Sequence, residues 1–451
     1  SEEIPAAELD SALAALPKLL EEQLEAARLT HEGLQVWGTP RRLAVRAAGL
    51  PDKQPDLEET LTGPPEKVAF KDGAPTKAAE KFAEKAGIPV SELALVDTPK
   101  GRYVTGLHRV PGQPTADVLP AIGRKLIEGL GFRKSMRWAE RTERFVRPVR
   151  WIVALYGDDV LDVTFADVPA GRETRGHRFH DPAPVPLASP ADYEQVLAER
   201  HVMPDRAERR ARIAEQIAAL EQSTGAKILP DDALLEEVTN LVEWPVAVCG
   251  EFDDDFLEVP REVIISAMRG HQRYFAMEQD GRLAPRFITV LGTEVRDLDV
   301  AVRGNQRVLA ARLADARFFW DEDRKTGLDA WSKELGAVVF QAKLGTVAEK
   351  VERLQKLAKD LAPKLGADVD ATAEAARLCK ADLVTHMVGE FPDLQGVMGR
   401  YYARAQDSAD AVAEAILEHY QPRGAGDALP PSAEGAALAL AATQILDSIP
   451  R

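Results

Sequence analysis

From Asn305 onward the apolar residues recur mostly at helical spacing, whereas the first three hundred residues alternate between strand-like and helix-like patterns. This change of period rules out a single repeated architecture. In QRVLAARLADARFFWDEDR, Leu309, Leu313 and Ala316 fall on one helix face, and helical patterns follow at 330–340, 343–362, 370–388, 408–420 and 433–447. At 451 residues the chain is also too long for one core. The expected fold class is multidomain α+β. Residues 1–325 form a mixed α/β part with a further break near 170–190, and residues 326–451 form an all-helical part.

Within the first part, Leu9, Leu13, Leu16, Leu20 and Leu24 predict an amphipathic helix, kinked or split in two by Pro17. A turn is expected at Gly38-Thr39-Pro40 and a strand over 42–48. LTGPPEKVAFKDGAPT reads as a loop, 76–87 as a helix, GRYVTGLHRV as a strand and 115–130 as a helix. WIVALYG has a buried-strand pattern. DVPAGRETRGHRFHDPAPVPLASP is too rich in Pro and Gly to be one regular element. Residues 190–223 read as helical, PVAVCGEFDDDFLEVP as a short strand and an acidic loop, and RFITVLGTE as a strand, while REVIISAMRGHQRYFAME begins as a helix just after Pro260.

The apolar run 151–156 is strand-sized, well short of a membrane span. The opening Ser-Glu-Glu-Ile-Pro lacks the basic patch and apolar stretch of a signal peptide. Two cysteines, Cys249 and Cys379, argue against a disulfide framework and suit a reducing compartment, so a cytoplasmic location without a membrane partner is expected.

The net charge is −16, yet residues 133–150 hold seven cations, Arg133, Lys134, Arg137, Arg141, Arg144, Arg147 and Arg150, against Glu140 and Glu143 alone. Phe132, Trp138, Phe145 and Trp151 lie among them. Arginine makes bidentate phosphate contacts and stacks on exposed bases, so this is the composition of an RNA-contacting surface. The alternative is aromatics packed inward with Arg stems lying over them. RGHQRYFAM (269–277) has the same two readings: His271, Gln272 and Arg273 as donors with Tyr274 and Phe275 stacking, or a helix end with its aromatic side inward.

Catalytic constellations are sparse. The chain contains no Gly-Lys dipeptide, which excludes a Walker A loop, and Gly424-Ala-Gly426 lacks the context of a dinucleotide-binding turn. His177 and His180 could share a metal only with further ligands, and Pro182, Pro184 and Pro186 break any helix beyond His180-Asp181. Arg141-Thr-Glu143 matches an Arg-x-Glu phosphate clamp or a solvated face. Cys249 and Cys379 sit in apolar contexts that read as packing.

Several stretches together resemble one family. They are GTPRRLAV (38–45), GPP (63–65), MRW (136–138), FVRPVRW (145–151), ETRGHRFH (173–180) and LVEWPVAVCGEFDDDFLEVPREVIISAMRGHQRYFAM (241–277). NQRVLAARLADARFFWDED (305–323), LGTVAEKVERL (344–354), CKADLVTHMVGEFPDLQGVMGRYYA (379–403) and AILEHYQPRGAGDALP (415–430) complete the set. In this order they resemble the beta subunit of bacterial heterotetrameric (alpha2-beta2) glycyl-tRNA synthetase.

The resemblance implies a tRNA-binding subunit of an ATP-dependent ligase whose glycine–ATP site lies on a separate alpha chain. ATP and magnesium are then used by the complex on the alpha subunit, and this chain is expected to hold neither cofactor nor metal. The implied partners are the alpha subunit and tRNA(Gly), with no DNA. The first part is expected to resemble the beta chain of phenylalanyl-tRNA synthetase, and the second an HD-type domain without metal-binding residues. The rival implied by that domain, an HD-type metal phosphohydrolase acting on nucleotides, is disfavoured because no His-Asp pair lies beyond residue 325.

The family's N-terminal strand and C-terminal anticodon-binding region are expected to lie outside this sequence, with the helical part truncated or discontinuous after about Ala441. By residue type the tRNA-contact candidates are Arg133, Lys134, Arg137, Arg144, Arg147, Arg150, Arg172, Arg175 and Arg178. Four more, His271, Gln272, Arg273 and Tyr274, follow Gly270, and Lys380, Arg400, Tyr401, Tyr402 and Arg404 lie in the helical part. No residue is expected to be catalytic.

Overall fold

The computed structural model describes residues 1–424 and 426–447, and side chains as far as 444. Expectations about the tail that fall on 448–451 lie outside the described residues. Two compact units are present: Ser1–Arg212 with Glu236–Pro245, and Ile213–Leu235 with Val246–Arg451. The sequence-based boundary near 325 falls inside the second unit, at the end of the helix Leu298–Thr326.

The first unit opens with one helix, Ala6–Ala26, that continues through Pro17 rather than splitting there. An interior proline costs about 3 kcal/mol. Burial of Leu9, Leu16, Leu20 and Leu24 on one stripe offsets it, at roughly 1.5–3 kcal/mol for each side chain. The stripe lies against an antiparallel hairpin, Gly33–Thr39 with Arg42–Ala48, in the register Val36↔Val45. The turn falls at Pro40-Arg41, later than Gly38-Thr39-Pro40, because Thr39 still pairs with Arg42. Gly38 belongs to the strand for a steric reason: a Cβ there would stand 2.7 Å from Leu13 Cδ2, so glycine lets the helix approach the hairpin. The helix Thr115–Gly129 closes this layer through Leu119 and Ile122, which pack with Leu20, Leu24 and Leu29.

The stretch expected as a loop over 61–76 is largely structured. Leu57–Pro65 is a strand pairing with Gly101–Val110, which also pairs with Ala94–Thr98. Gly63-Pro64-Pro65 fits because the strand is an edge and its register shifts between Thr62 and Pro65, so the missing proline N–H leaves no ladder bond unmade. Asp72-Gly73 forms the tip of the small hairpin Phe70–Lys71 with Ala74–Pro75. The helix Lys77–Ala86 covers the sheet through Ala79 and Phe82. The Thr76 side chain accepts from Ala78 N at its start, and Gly87 at φ 70° ends it.

WIVALYG is two half-buried strand pieces rather than one buried strand. Ile152–Val153 runs parallel to Ala170–Gly171, and Leu155–Tyr156 turns back on Asp159–Val160 through Gly157. The helical stretch 190–223 breaks into Tyr193–Ala198 and Arg206–Thr224, with His201 at φ 58° and Pro204 between them.

In the second unit a four-stranded antiparallel sheet has the order Lys227–Ile228, Phe275–Gln279, Arg282–Leu291, Val246–Glu251. The long helix Leu298–Thr326 follows, then Leu328–Glu334, Val347–Leu365, Val369–Leu378, Val397–Ala405, Asp410–Glu418 and Ala433–Asp447. Val347–Leu365 starts later than the expected 343 because Thr346 and Glu349 form a capping box. The helix expected over 370–388 ends at Leu378, and Thr385 caps a separate short helix, His386–Glu390. One buried cluster joins sheet residues such as Phe287 to Leu309, Leu313, Met387, Tyr402 and Ile416. The architecture is therefore mixed α+β and multidomain.

Candidate nucleic-acid interface

The basic stretch folds back on itself. Met136 and Phe145 form an isolated antiparallel bridge, with Met136 N donating to Phe145 O (2.8 Å) and Phe145 N to Met136 O (3.2 Å). Its aromatics face inward. Phe132 meets Phe145 edge-on at 4.9 Å, Phe145 meets Phe165 at 6.2 Å, and Trp138 packs on the same cluster. The packing reading therefore holds for these rings.

The cations face outward. Arg133, Lys134, Arg137, Arg144 and Arg150 are exposed and Arg147 is half-buried. Arg133 lies 3.6 Å from Glu8, and Arg150 lies 3.3 Å from Glu2. Arg144 donates to Ser135 O (2.7 Å) and Arg147 to Val146 O (2.8 Å), contacts that orient the side chains without neutralising them. Arg141, the cation of the Arg-x-Glu pattern, forms an exposed ion pair with Asp167.

The ETRGHRFH segment makes a tight turn. Arg172 donates to Asp158 O (2.7 Å) and Leu187 O (3.2 Å), Arg175 to Pro182 O (3.3 Å), and Arg178 pairs with Glu3 at 2.7 Å. Sequence reasoning missed the ring series beside it. His177 stacks toward His180 (5.0 Å), His180 toward His201 (4.6 Å), and His201 meets Trp244 (5.4 Å). Arg212 lies 4.2 Å over Trp244. The density of rings in GHRFH was a usable signal, but His201 and Trp244 join it only through the fold. Among the described residues, no three or more of His, Cys, Asp and Glu are grouped so as to hold a metal ion.

A buried ionic node stands beneath this region. Arg42 pairs with Glu243 at 3.0 Å with both side chains buried, and Glu243 also accepts from Thr39 Oγ1 at 2.6 Å. Arg209 is fully buried and donates to four carbonyls, those of Gly38, Met203, Pro204 and Thr239. Burial lowers its guanidinium pKa to about 10. The first unit also contains a half-open cavity of ≈ 580 Å³ lined chiefly by apolar side chains, among them Leu20, Leu24, Val45, Leu119 and Ile122. Such a lining suits apolar contact rather than phosphate.

In the second unit the candidates divide by burial. His271 is exposed and meets Phe391 edge-on at 5.5 Å, Gln272 is half-buried, and Arg273 ends a π-turn at φ 59° with its guanidinium on Gly270 O. Tyr274 is buried and stacks on Phe287 at 4.6 Å, while its hydroxyl donates to Asn305 Oδ1 at 2.7 Å. Arg400 pairs with Glu262 and Glu414, Tyr401 donates to Glu262 (2.8 Å), and exposed Arg404 pairs with Glu414 at 2.6 Å. Tyr402 is only 1% exposed and donates to Asp323 Oδ2 at 2.8 Å. Lys380 is buried and contacts His419. Tyr274, Lys380 and Tyr402 are thus committed to core contacts, because their neighbours come from elements distant in sequence.

Known proteins match along nearly the whole chain. The family described as glycyl-tRNA synthetase beta subunit matches residues 1–449. The glycine–tRNA ligase beta subunit of Myxococcus xanthus (strain DK1622) is 49% identical over 445 residues, covering 98% of this chain and 63% of that protein. The corresponding subunit of Geobacter sulfurreducens (strain ATCC 51573 / DSM 12127 / PCA) is 48% identical over 444 residues, covering 98% of this chain and 65% of its own length. The chain therefore spans less than two thirds of the length of these relatives. With identity near one half sustained from end to end, the chain belongs to the glycyl-tRNA synthetase beta subunit family.

Proposed function

We propose that this chain is the tRNA-gripping part of a glycine–tRNA ligase beta subunit. It binds tRNA(Gly) and positions it so that a separate alpha subunit, using ATP and magnesium, activates glycine and transfers it to the tRNA 3′ end. The observation that carries this reading is the family match over residues 1–449. The exposed cations of 133–150, with their aromatics turned inward, supply a phosphate-binding surface on an otherwise acidic chain. The chain's own contribution to catalysis is then orientation of the acceptor end. On this reading no residue here is catalytic, and the location is cytoplasmic. The first part is related to the phenylalanyl-tRNA synthetase beta chain and the helical part to HD-type domains.

Among the RNA candidates the exposed side chains carry the reading: Arg133, Lys134, Arg137, Arg144, Arg150, Arg178, His271 and Arg404. The test has two arms. Glycine-dependent ATP–pyrophosphate exchange by this chain alone should be absent, and adding it to the alpha subunit should raise glycyl-tRNA formation. Exchange by this chain alone, or charging at full rate without any beta chain, contradicts the proposal.

A further inference from the structure

We propose that the turn 175–181 is a stacking platform for one unpaired RNA nucleotide, with the ring of Phe179 as its face. The inference rests on the RNA-binding reading above and gives it a specific site.

Phe179 is 71% exposed. A large ring left in water forgoes the stabilisation its burial would give, so such exposure is informative where a rigid backbone enforces it. The turn is tightly built. His177 N donates to Arg200 O (2.9 Å), and Asp181 N donates to His177 O (2.8 Å). Phe179 N approaches His177 Nδ1 at 3.4 Å, and Arg200 pairs with Asp181 at 2.6 Å. Gly176 is required by close approach: a Cβ there would fall 2.6 Å from Arg200 Cβ and 2.8 Å from Asp181 O. The chain thus holds Phe179 outward on a pre-organised support, which lowers the ordering cost of binding.

The surroundings favour a base over a protein side chain. Arg178 lies 5.0 Å over the Phe179 ring and pairs with Glu3 at 2.7 Å, so its guanidinium backs the ring while its charge is shared with a carboxylate. Every base presents a π-face, and the exposed ring of Phe179 matches it whatever the base. A raised ring also fits a pocket on a protein partner, an outcome that the test separates from base stacking. Behind the turn, the rings of His180, His201 and Trp244 follow one another at 4.6 and 5.4 Å, backing the platform with aromatic surface.

The test measures affinity of the whole chain for a single-stranded oligoribonucleotide and for a blunt RNA duplex of matched charge, at one salt concentration. Phe179→Ala should weaken single-strand binding roughly 5- to 150-fold, the range for loss of one base–aromatic stack. Duplex binding should not change, and Phe179→Trp should retain single-strand affinity. Wild-type affinity for the single strand in Phe179→Ala, or equal loss on both probes, overturns the platform alone. Unchanged RNA binding with weakened alpha-subunit association would assign Phe179 to a protein interface and also overturn it. A wild-type chain that binds neither probe overturns the RNA-binding reading and this inference with it.

Discussion

The ammonium of Lys380 donates to Nε2 of His419 across 2.7 Å, and neither residue is more than 8% exposed. The tautomer follows from the second ring nitrogen, Nδ1, whose hydrogen goes to Ile416 O at 2.6 Å. Lys380 also stands 3.7 Å over the ring of Tyr420. A residue whose type suggested RNA contact is instead held inside the second unit.

Burial pulls the Lys380 pKa from 10.5 to about 8. The unfolded chain therefore binds more protons than the folded one between these values, and the lysine's contribution to stability becomes more favourable as pH rises through that window. The expected gain is about 3 kcal/mol across the full window, at 1.4 kcal/mol per pH unit. Urea unfolding of wild type and Lys380→Met from pH 7.5 to 10 should show wild type gaining relative to the variant. A difference that does not change with pH would mean that Lys380 is not desolvated.

Asp323 accepts from the amides of His386 (3.0 Å) and Met387 (2.9 Å) as well as from Tyr402. Tyr402→Phe should lower stability by roughly 1.5–3 kcal/mol, the value of a hydrogen bond to a charged group. Its RNA affinity should equal that of wild type, because the ring is in the core. Reduced RNA affinity at unchanged stability would return Tyr402 to the interface.

Arg209→Met should destabilise the chain by roughly 3–5 kcal/mol, since it strips donors from four carbonyls, three of them in buried contacts. Arg209→Lys should not rescue it, because an ammonium on a shorter reach cannot reproduce the planar fork. Denaturant midpoints for both variants check this. A lysine variant as stable as wild type would contradict the proposed role of fork geometry.

Local patterns were legible in the sequence where the element is set by its own residues. The strand Arg42–Ala48 and the helix Lys77–Ala86 with its glycine stop lie where alternation and capping put them. Composition also found the cation-rich stretch, because charge counts need no partner. It could not say that Phe132 and Phe145 turn inward, which depends on Phe165 in a later strand. Nor could it join His180 to His201 and Trp244, or bury Lys380 against His419, 39 residues away. Those relations are made by long-range packing, and periodicity carries no record of them. The unbroken run through Pro17 has a related reason: its local cost is legible, while the stripe burial that outweighs it is tertiary.

Lys134 and Arg137 are exposed and, among the described residues, have no hydrogen bond or ion pair, while exposed Arg133 approaches Glu8 only at 3.6 Å. The most direct test is therefore the salt dependence of tRNA(Gly) binding by the wild-type chain and by a variant with Arg133, Lys134 and Arg137 all changed to Gln. Each lost phosphate contact lowers the slope of log affinity against log salt by roughly one unit. The variant should bind more weakly at low salt with a slope shallower by about three. Equal slopes for the two proteins would return the stretch to a purely structural role and contradict the assignment of its cations to RNA.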